Sequence, residues 1–169
     1  MDNKKYYAPG IPLENFNNKR ISVMPEHLTG AKMLLSIQKH DALRAGTHYD
    51  LRLGDSETGF AYSWAIPAAK LPNPGERPVL AIPTFIHDIH YMPFEGYIKE
   101  KYGRGKVSLA YYGKANIIEA KPHKIRFDII AQNKKTGKVE TRRFLMVSHD
   151  KEGKGPFFLF AVKPKENKQ

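Results

Sequence analysis

The chain is 169 residues long, 41% hydrophobic and free of cysteine, enough for one domain with a real core and too little for two. Without cysteine there is no disulfide framework and no thiolate zinc site, so any bound metal must be held by histidine and carboxylate. Lys and Arg number 28 against 17 Asp and Glu, a formal charge of +11, which favours polyanions, nucleic acid foremost, even though part of the excess sits in tails and turns such as Lys163-Pro164-Lys165.

In chain order, Met1–Tyr7 lacks the apolar stretch of a signal peptide, and no run approaches the ~20 apolar residues of a membrane helix. A cytoplasmic, intracellular protein with no membrane partner is expected. Residues 1–30 are rich in Pro, Asn and Lys without a sustained period and read as an irregular N-terminal arm with one helical turn near Pro25–Leu28. Residues 31–163 read as strands and turns. Met33–Gln38, His48–Leu53, Phe60–Ile66 and Val79–Ile82 are strands, and Ile86–Tyr91 is a further chemistry-rich segment. Gly54–Gly59 reads as a hairpin connection and Leu71–Pro78 as a loop. A meander follows, with Lys106–Tyr112, Ala115–Ala120, Lys124–Ala131, Val139–Ser148 and Pro156–Val162 separated by turn signals, the first of them Gly113-Lys114. Residues 164–169 read as a disordered basic tail. The class is all-β and mainly antiparallel: a small closed β-barrel of about eight strands, with a sandwich as the alternative architecture. Closure would hide the strand edges.

Within Thr47–Leu53, alternation places His48, Asp50 and Arg52 on one face and Tyr49, Leu51 and Leu53 on the other. Alternate residues lie ~6.6 Å apart, close enough for an imidazole and a carboxylate to converge on one metal, with Arg52 a step further on for a phosphate. His40 follows the first strand, and a returning loop would bring it to the His48–Asp50 pair as a tripod with positions left for water and a substrate oxygen. A second cluster, His87 to Gly96, crowds two histidines, a tyrosine and two acids together. His87 and Tyr91 suit contacts to phosphate oxygens, Tyr91 and Phe94 also suit an ordinary core, and spacing leaves open whether His87 or His90 faces a metal. Trp64 reads as core. Tyr102-Gly103-Arg104-Gly105-Lys106 reads as a basic hairpin turn with phosphate contact as the alternative.

Five blocks stand in order: Gln38-Lys39-His40-Asp41-Ala42, His48–Leu53, Ser63-Trp64-Ala65-Ile66-Pro67, His87–Tyr91 leading to Phe94-Glu95-Gly96, and Tyr102-Gly103-Arg104-Gly105. Together they resemble the 3′-phosphoesterase domain of bacterial DNA ligase D, in a stand-alone form. The resemblance implies a small β-barrel, a Mn²⁺-favouring centre, and removal of 3′-terminal ribonucleosides and 3′-phosphates from DNA or DNA/RNA primer-template ends in break repair by non-homologous end joining. It implies His40, His48 and Asp50 as metal ligands; Arg52, His87 and Tyr91 as catalytic residues; and Gln38, Lys70 and Arg77 as substrate-binding residues. A separate ligase or other end-joining proteins are the implied partners. The chain departs from the family in having seven residues rather than five between His40 and His48, which calls for a bulge near Ala45-Gly46, and in placing Ala68-Ala69 before Lys70, where the family has a lysine directly after the proline. A non-catalytic DNA-end-binding module is the alternative, and a non-haem Fe(II) oxygenase a more distant one.

Overall fold

Residues 20–44, 46–99 and 104–163 are described by the computed structural model. The arm's first nineteen residues, Ala45, Tyr102, Gly103 and the 164–169 tail lie outside them. Among the described residues the chain forms β1 (Lys32–Ala42), β2 (Gly46–Asp55), β3 (Phe60–Ile66), β4 (Val79–Pro83), β5 (His87–Asp88), β6 (Gly96–Ile98), β7 (Gly105–Lys121), β8 (Lys124–Asn133), β9 (Val139–Ser148) and β10 (Phe157–Val162). Helical structure among these residues is limited to two 3₁₀ turns, Glu26–Leu28 and Ile89–Tyr91. The first falls where the sequence places a helical turn.

The strands join in the order β1-β2-β3-β4-β10-β9-β8-β7, and β7 returns to pair with β1, closing an eight-stranded antiparallel barrel. The all-β class and the closed barrel expected from the sequence both hold. β6 extends β7, and β5 pairs with β3. Leu35 and Ile37 of β1, Leu51 and Leu53 of β2, Trp64 of β3 and Phe127 of β8 fill the interior, each essentially inaccessible. Burying such a side chain contributes roughly 1.5–3 kcal/mol, and closure lets every strand bury one full face. Trp64 is core as expected, edge-on to Phe157, though its indole N–H has no protein acceptor. Met24 and Leu28 join the same core, and Ile21 bridges to Phe85, so residues 20–30 pack on the barrel.

Gly113-Lys114 is not a turn: it lies inside the single long strand β7. There Gly113 pairs with Leu35 on one side and Ala131 on the other. A Cβ at this position would collide with the Ile130 carbonyl oxygen and come within 2.6 Å of the Ala131 Cα. The glycine therefore serves close backbone approach within a ladder, which a sequence shows with the same letter as a turn.

Candidate metal and phosphate site

Direct ladder partners share a face, so the register lays out the site as rows. His40 stands opposite His48, Gln38 opposite Asp50, and Ser36 opposite Arg52 between β1 and β2. On the other side of β2, Asp50 meets Ala65 and Arg52 meets Ser63. All these residues face away from the barrel interior. The seven positions between the two histidines are taken up by the pairs Asp41↔Thr47 and Ala42↔Gly46 and a three-residue connection. No bulge interrupts the β1–β2 ladder, and Gly46 has φ 73, the left-handed conformation with which a short hairpin connection closes.

His40, His48 and Asp50 bring one ligand atom each to within 4.8 Å of one another. Asp50 Oδ2 is 3.3 Å from His48 Nε2 and 3.8 Å from His40 Nδ1. Burial opposes ionisation of Asp50, yet the hydrogen bond to His48 and the charges of Arg52 and both histidines hold its carboxyl below the usual range. The same hydrogen bond holds the His48 imidazolium above its usual value. Two imidazoles and a carboxylate on one wall, with solvent on the far side, suit a divalent ion that keeps open positions.

Arg52 is 4% exposed, an unusual state for a guanidinium. Its Nε donates to Gln38 Oε1 at 2.6 Å and its Nη1 to Ser63 Oγ at 2.9 Å, while Nη2 lies 3.7 Å from Asp50 Oδ2. The Tyr91 ring lies 5.1 Å from its carbon centre. Gln38, also fully buried, donates from Nε2 to the carbonyls of Tyr91 and Phe94, both at 3.1 Å. Both ends of its amide are thus engaged within the protein.

The segment that roofs this wall is the second sequence cluster. His87 stacks on Tyr91 and Tyr91 on Phe94, with ring centres 5.5 and 5.2 Å apart. Met92 and Ile89 settle onto Gly54, where any Cβ would collide with the Met92 sulfur. The Glu95 carboxylate accepts the Leu109 N–H at 3.0 Å, beside the irregularity where β1 and β7 slip register. Burial beside the Arg52 guanidinium pushes the His87 imidazolium down to about 3. Its Nδ1 lies 2.7 Å from the Phe85 carbonyl, and since a carbonyl only accepts, Nδ1 carries the proton. Burial also pushes the Tyr91 phenol up.

His87, not His90, faces the site. His90 turns outward, tied to Asp88 through both its backbone N–H and its Nδ1, at 2.7 and 2.8 Å. Lys70 and Arg77 are exposed on the connection between β3 and β4 and make no hydrogen bond or ion pair to the metal or phosphate residues. That connection leaves the sheet where Ile66 pairs with Tyr49, next to His48. Ala69, with φ 52, is the one non-glycine residue among those described in the left-handed region, just before Lys70. Arg142 ties the same connection to β9 through the Pro72 carbonyl and Asn73 Oδ1. Sequence reading gave no role to Ser63, Asp88 or Glu95. Ser63 is signalled only by its place on the Arg52 face, two residues before an inward-facing Ala65 neighbour on the same wall; the other two act through backbone amides, which side-chain spacing does not show.

The family model described as the DNA Ligase D 3′-phosphoesterase domain matches residues 38–159. No curated protein matches the chain. The matched span runs from Gln38, at the edge of the ligand rows, through the roof segment to Leu159 of β10, covering most of the chain, and the protein belongs to the DNA ligase D 3′-phosphoesterase domain family.

Proposed function

We propose that this protein is a metal-dependent DNA 3′-end phosphoesterase that removes 3′-terminal ribonucleosides and 3′-phosphates from primer-template ends in break repair. The observation that carries the reading is the convergence on one barrel wall of a two-histidine, one-carboxylate ligand set with a buried, pre-oriented arginine. His40, His48 and Asp50 would hold the ion, Mn²⁺ in this reading, which would supply Lewis-acid stabilisation of charge on a phosphoryl oxygen.

Arg52 is held by Gln38 and Ser63 before substrate arrives, so its remaining Nη donors meet a phosphate oxygen without reorganisation. Gln38 acts by positioning, since its amide spans Arg52 and the roof. His87 is neutral before substrate binds. A phosphate dianion would raise its proton affinity, so it gains its proton as the phosphate seats and then donates to an oxygen of the clamp or of the leaving group. Tyr91 keeps its phenolic proton at neutral pH and serves as a further donor. Lys70 and Arg77 take phosphates further along the strand. A separate ligase or other end-joining proteins would complete repair in the cytoplasm.

The test uses a 5′-labelled primer-template ending in one ribonucleotide, beside a 3′-phosphate substrate, with and without Mn²⁺ and with His48→Ala as control. Metal-dependent shortening or dephosphorylation that is lost in the control is the expected result. Tight binding without product would instead leave a non-catalytic DNA-end-binding module.

A further inference from the structure

The metal wall ends in a projecting hairpin tip. Beyond the His40↔His48 pair, β1 and β2 continue for two more ladder pairs before the connection. A tight connection of this kind ordinarily carries Gly, Asn, Asp or Ser; here it opens with Leu43-Arg44. Leu43 is 73% exposed, matched among large apolar side chains of the described residues only by Tyr97, also at this end of β7. Leu43 follows His40 by three residues, about 10 Å along a strand, and its N–H donates to the Arg104 carbonyl at 2.9 Å, so the tip is pinned beside residue 104.

Charge at the two ends of the barrel differs. Arg44, Arg104 and Lys106 are exposed around the tip, and no salt bridge joins them to an acid among the described residues. At the opposite end of β7, Lys121 and Lys124 are paired with Glu119. The nearest acid to the tip, Asp41, accepts from Thr47 Oγ1 at 2.7 Å. An apolar side chain ringed by unpaired cations matches the end of a nucleic-acid duplex, where an apolar base face is ringed by phosphates. A protein surface would more often be met by paired charges around a larger apolar patch.

We propose that the β1–β2 tip is an end-recognition element in which Leu43 packs on the exposed face of the terminal base pair of a DNA duplex whose 3′ end occupies the metal site. Arg44, Arg104 and Lys106 contact the flanking phosphates. The proposal rests on the phosphoesterase reading and adds to it a preference for paired over single-stranded ends. Leu43 is far enough from the core that its substitution leaves the barrel intact.

The full chain with Mn²⁺ is assayed on a duplex and on a single strand sharing one 3′ sequence, comparing wild type, Leu43→Ser and Leu43→Met. Leu43→Ser is expected to lower the duplex-to-single-strand ratio of kcat/KM about tenfold, the size of one lost base contact, while Leu43→Met restores it. An unchanged ratio overturns the proposal, as does an equal fall on both substrates. A 2-aminopurine in the terminal pair, read without metal, gives a second arm: wild type should change its fluorescence on binding and Leu43→Ser should not. If wild type turns over neither substrate, the phosphoesterase reading fails, and the fluorescence arm still decides the tip: no change on binding by wild type overturns it and leaves a protein partner as the occupant to seek.

Discussion

Arg52 carries a fixed charge in a place where water cannot compensate it, and its geometry depends on three partners. Replacing it with lysine keeps the charge but cannot reproduce bonds to Gln38 and Ser63 at once, because an ammonium lacks the planar fork. Arg52→Lys is therefore expected to lower kcat/KM by about 10²–10³ while leaving Mn²⁺ affinity near wild type, checked by steady-state kinetics beside calorimetric titration. His48 sets the pH behaviour. In the metal-free protein the His48–Asp50 pair stabilises the fold fully below the usual histidine value of 6.5 and loses that contribution as pH rises through the higher folded value. On the acid side, Asp50 lies below its usual 3.8, so its share persists until pH falls through that lowered value. Metal competes with the proton for the same imidazole. Mn²⁺ affinity is thus expected to weaken as pH falls through the raised His48 value, by about tenfold per unit for one displaced proton. Titration at a series of pH values checks this, and His48→Gln should abolish that slope along with most of the affinity.

At the scale of elements, the roof segment and β7 are set by glycines that have no side chain of their own to offer. Gly113→Val would force β7 away from β8 at the Ile130 carbonyl. The expected cost is about 1–3 kcal/mol, read as a lower urea midpoint, with catalytic constants of the surviving folded protein little changed. Gly54→Val acts elsewhere: it lifts Met92 and with it Tyr91 and the carbonyl that Gln38 holds. Its expected signature is a loss of kcat/KM by about tenfold or more against a smaller shift in the urea midpoint. Equal losses of stability in the two variants with full activity in both would show that the roof does not position the site. The contrast follows from where each glycine lies: one between two barrel strands, the other under the segment that completes the phosphate side.

Across the whole molecule, a charge of +11 makes binding to DNA a matter of counterion release as well as contact. The logarithm of the binding constant should fall with the logarithm of salt concentration at a slope of about −0.9 per phosphate neutralised, measured by fluorescence anisotropy with a labelled duplex. A flat response would remove nucleic acid as the partner. Barrel closure fixes the rest of the arrangement. β7 pairs with β1 along most of its length, so the metal wall is braced from behind by the core and cannot splay at a sheet edge. No helix among the described residues is long and apolar enough to cross a membrane.

Alternation by itself determined that His48, Asp50 and Arg52 share a face, and turn spacing determined an all-β chain, because both are local properties of a strand. Trp64 and the barrel class followed from the same period-two pattern. What spacing left open was long-range. Whether His87 or His90 faces Arg52 is decided by Asp88, which draws His90 outward and caps the turn that stacks Tyr91 over the guanidinium. Whether Gly113 ends a strand or lies within one is decided by how closely β8 approaches it. Gln38 looks in sequence like a polar strand residue; only packing engages both ends of its amide and joins the wall to its roof. Strand periodicity fixes the face on which a side chain emerges, whereas its partners come from segments tens of residues away, and those are set by closure of the barrel and the fold-back of the roof.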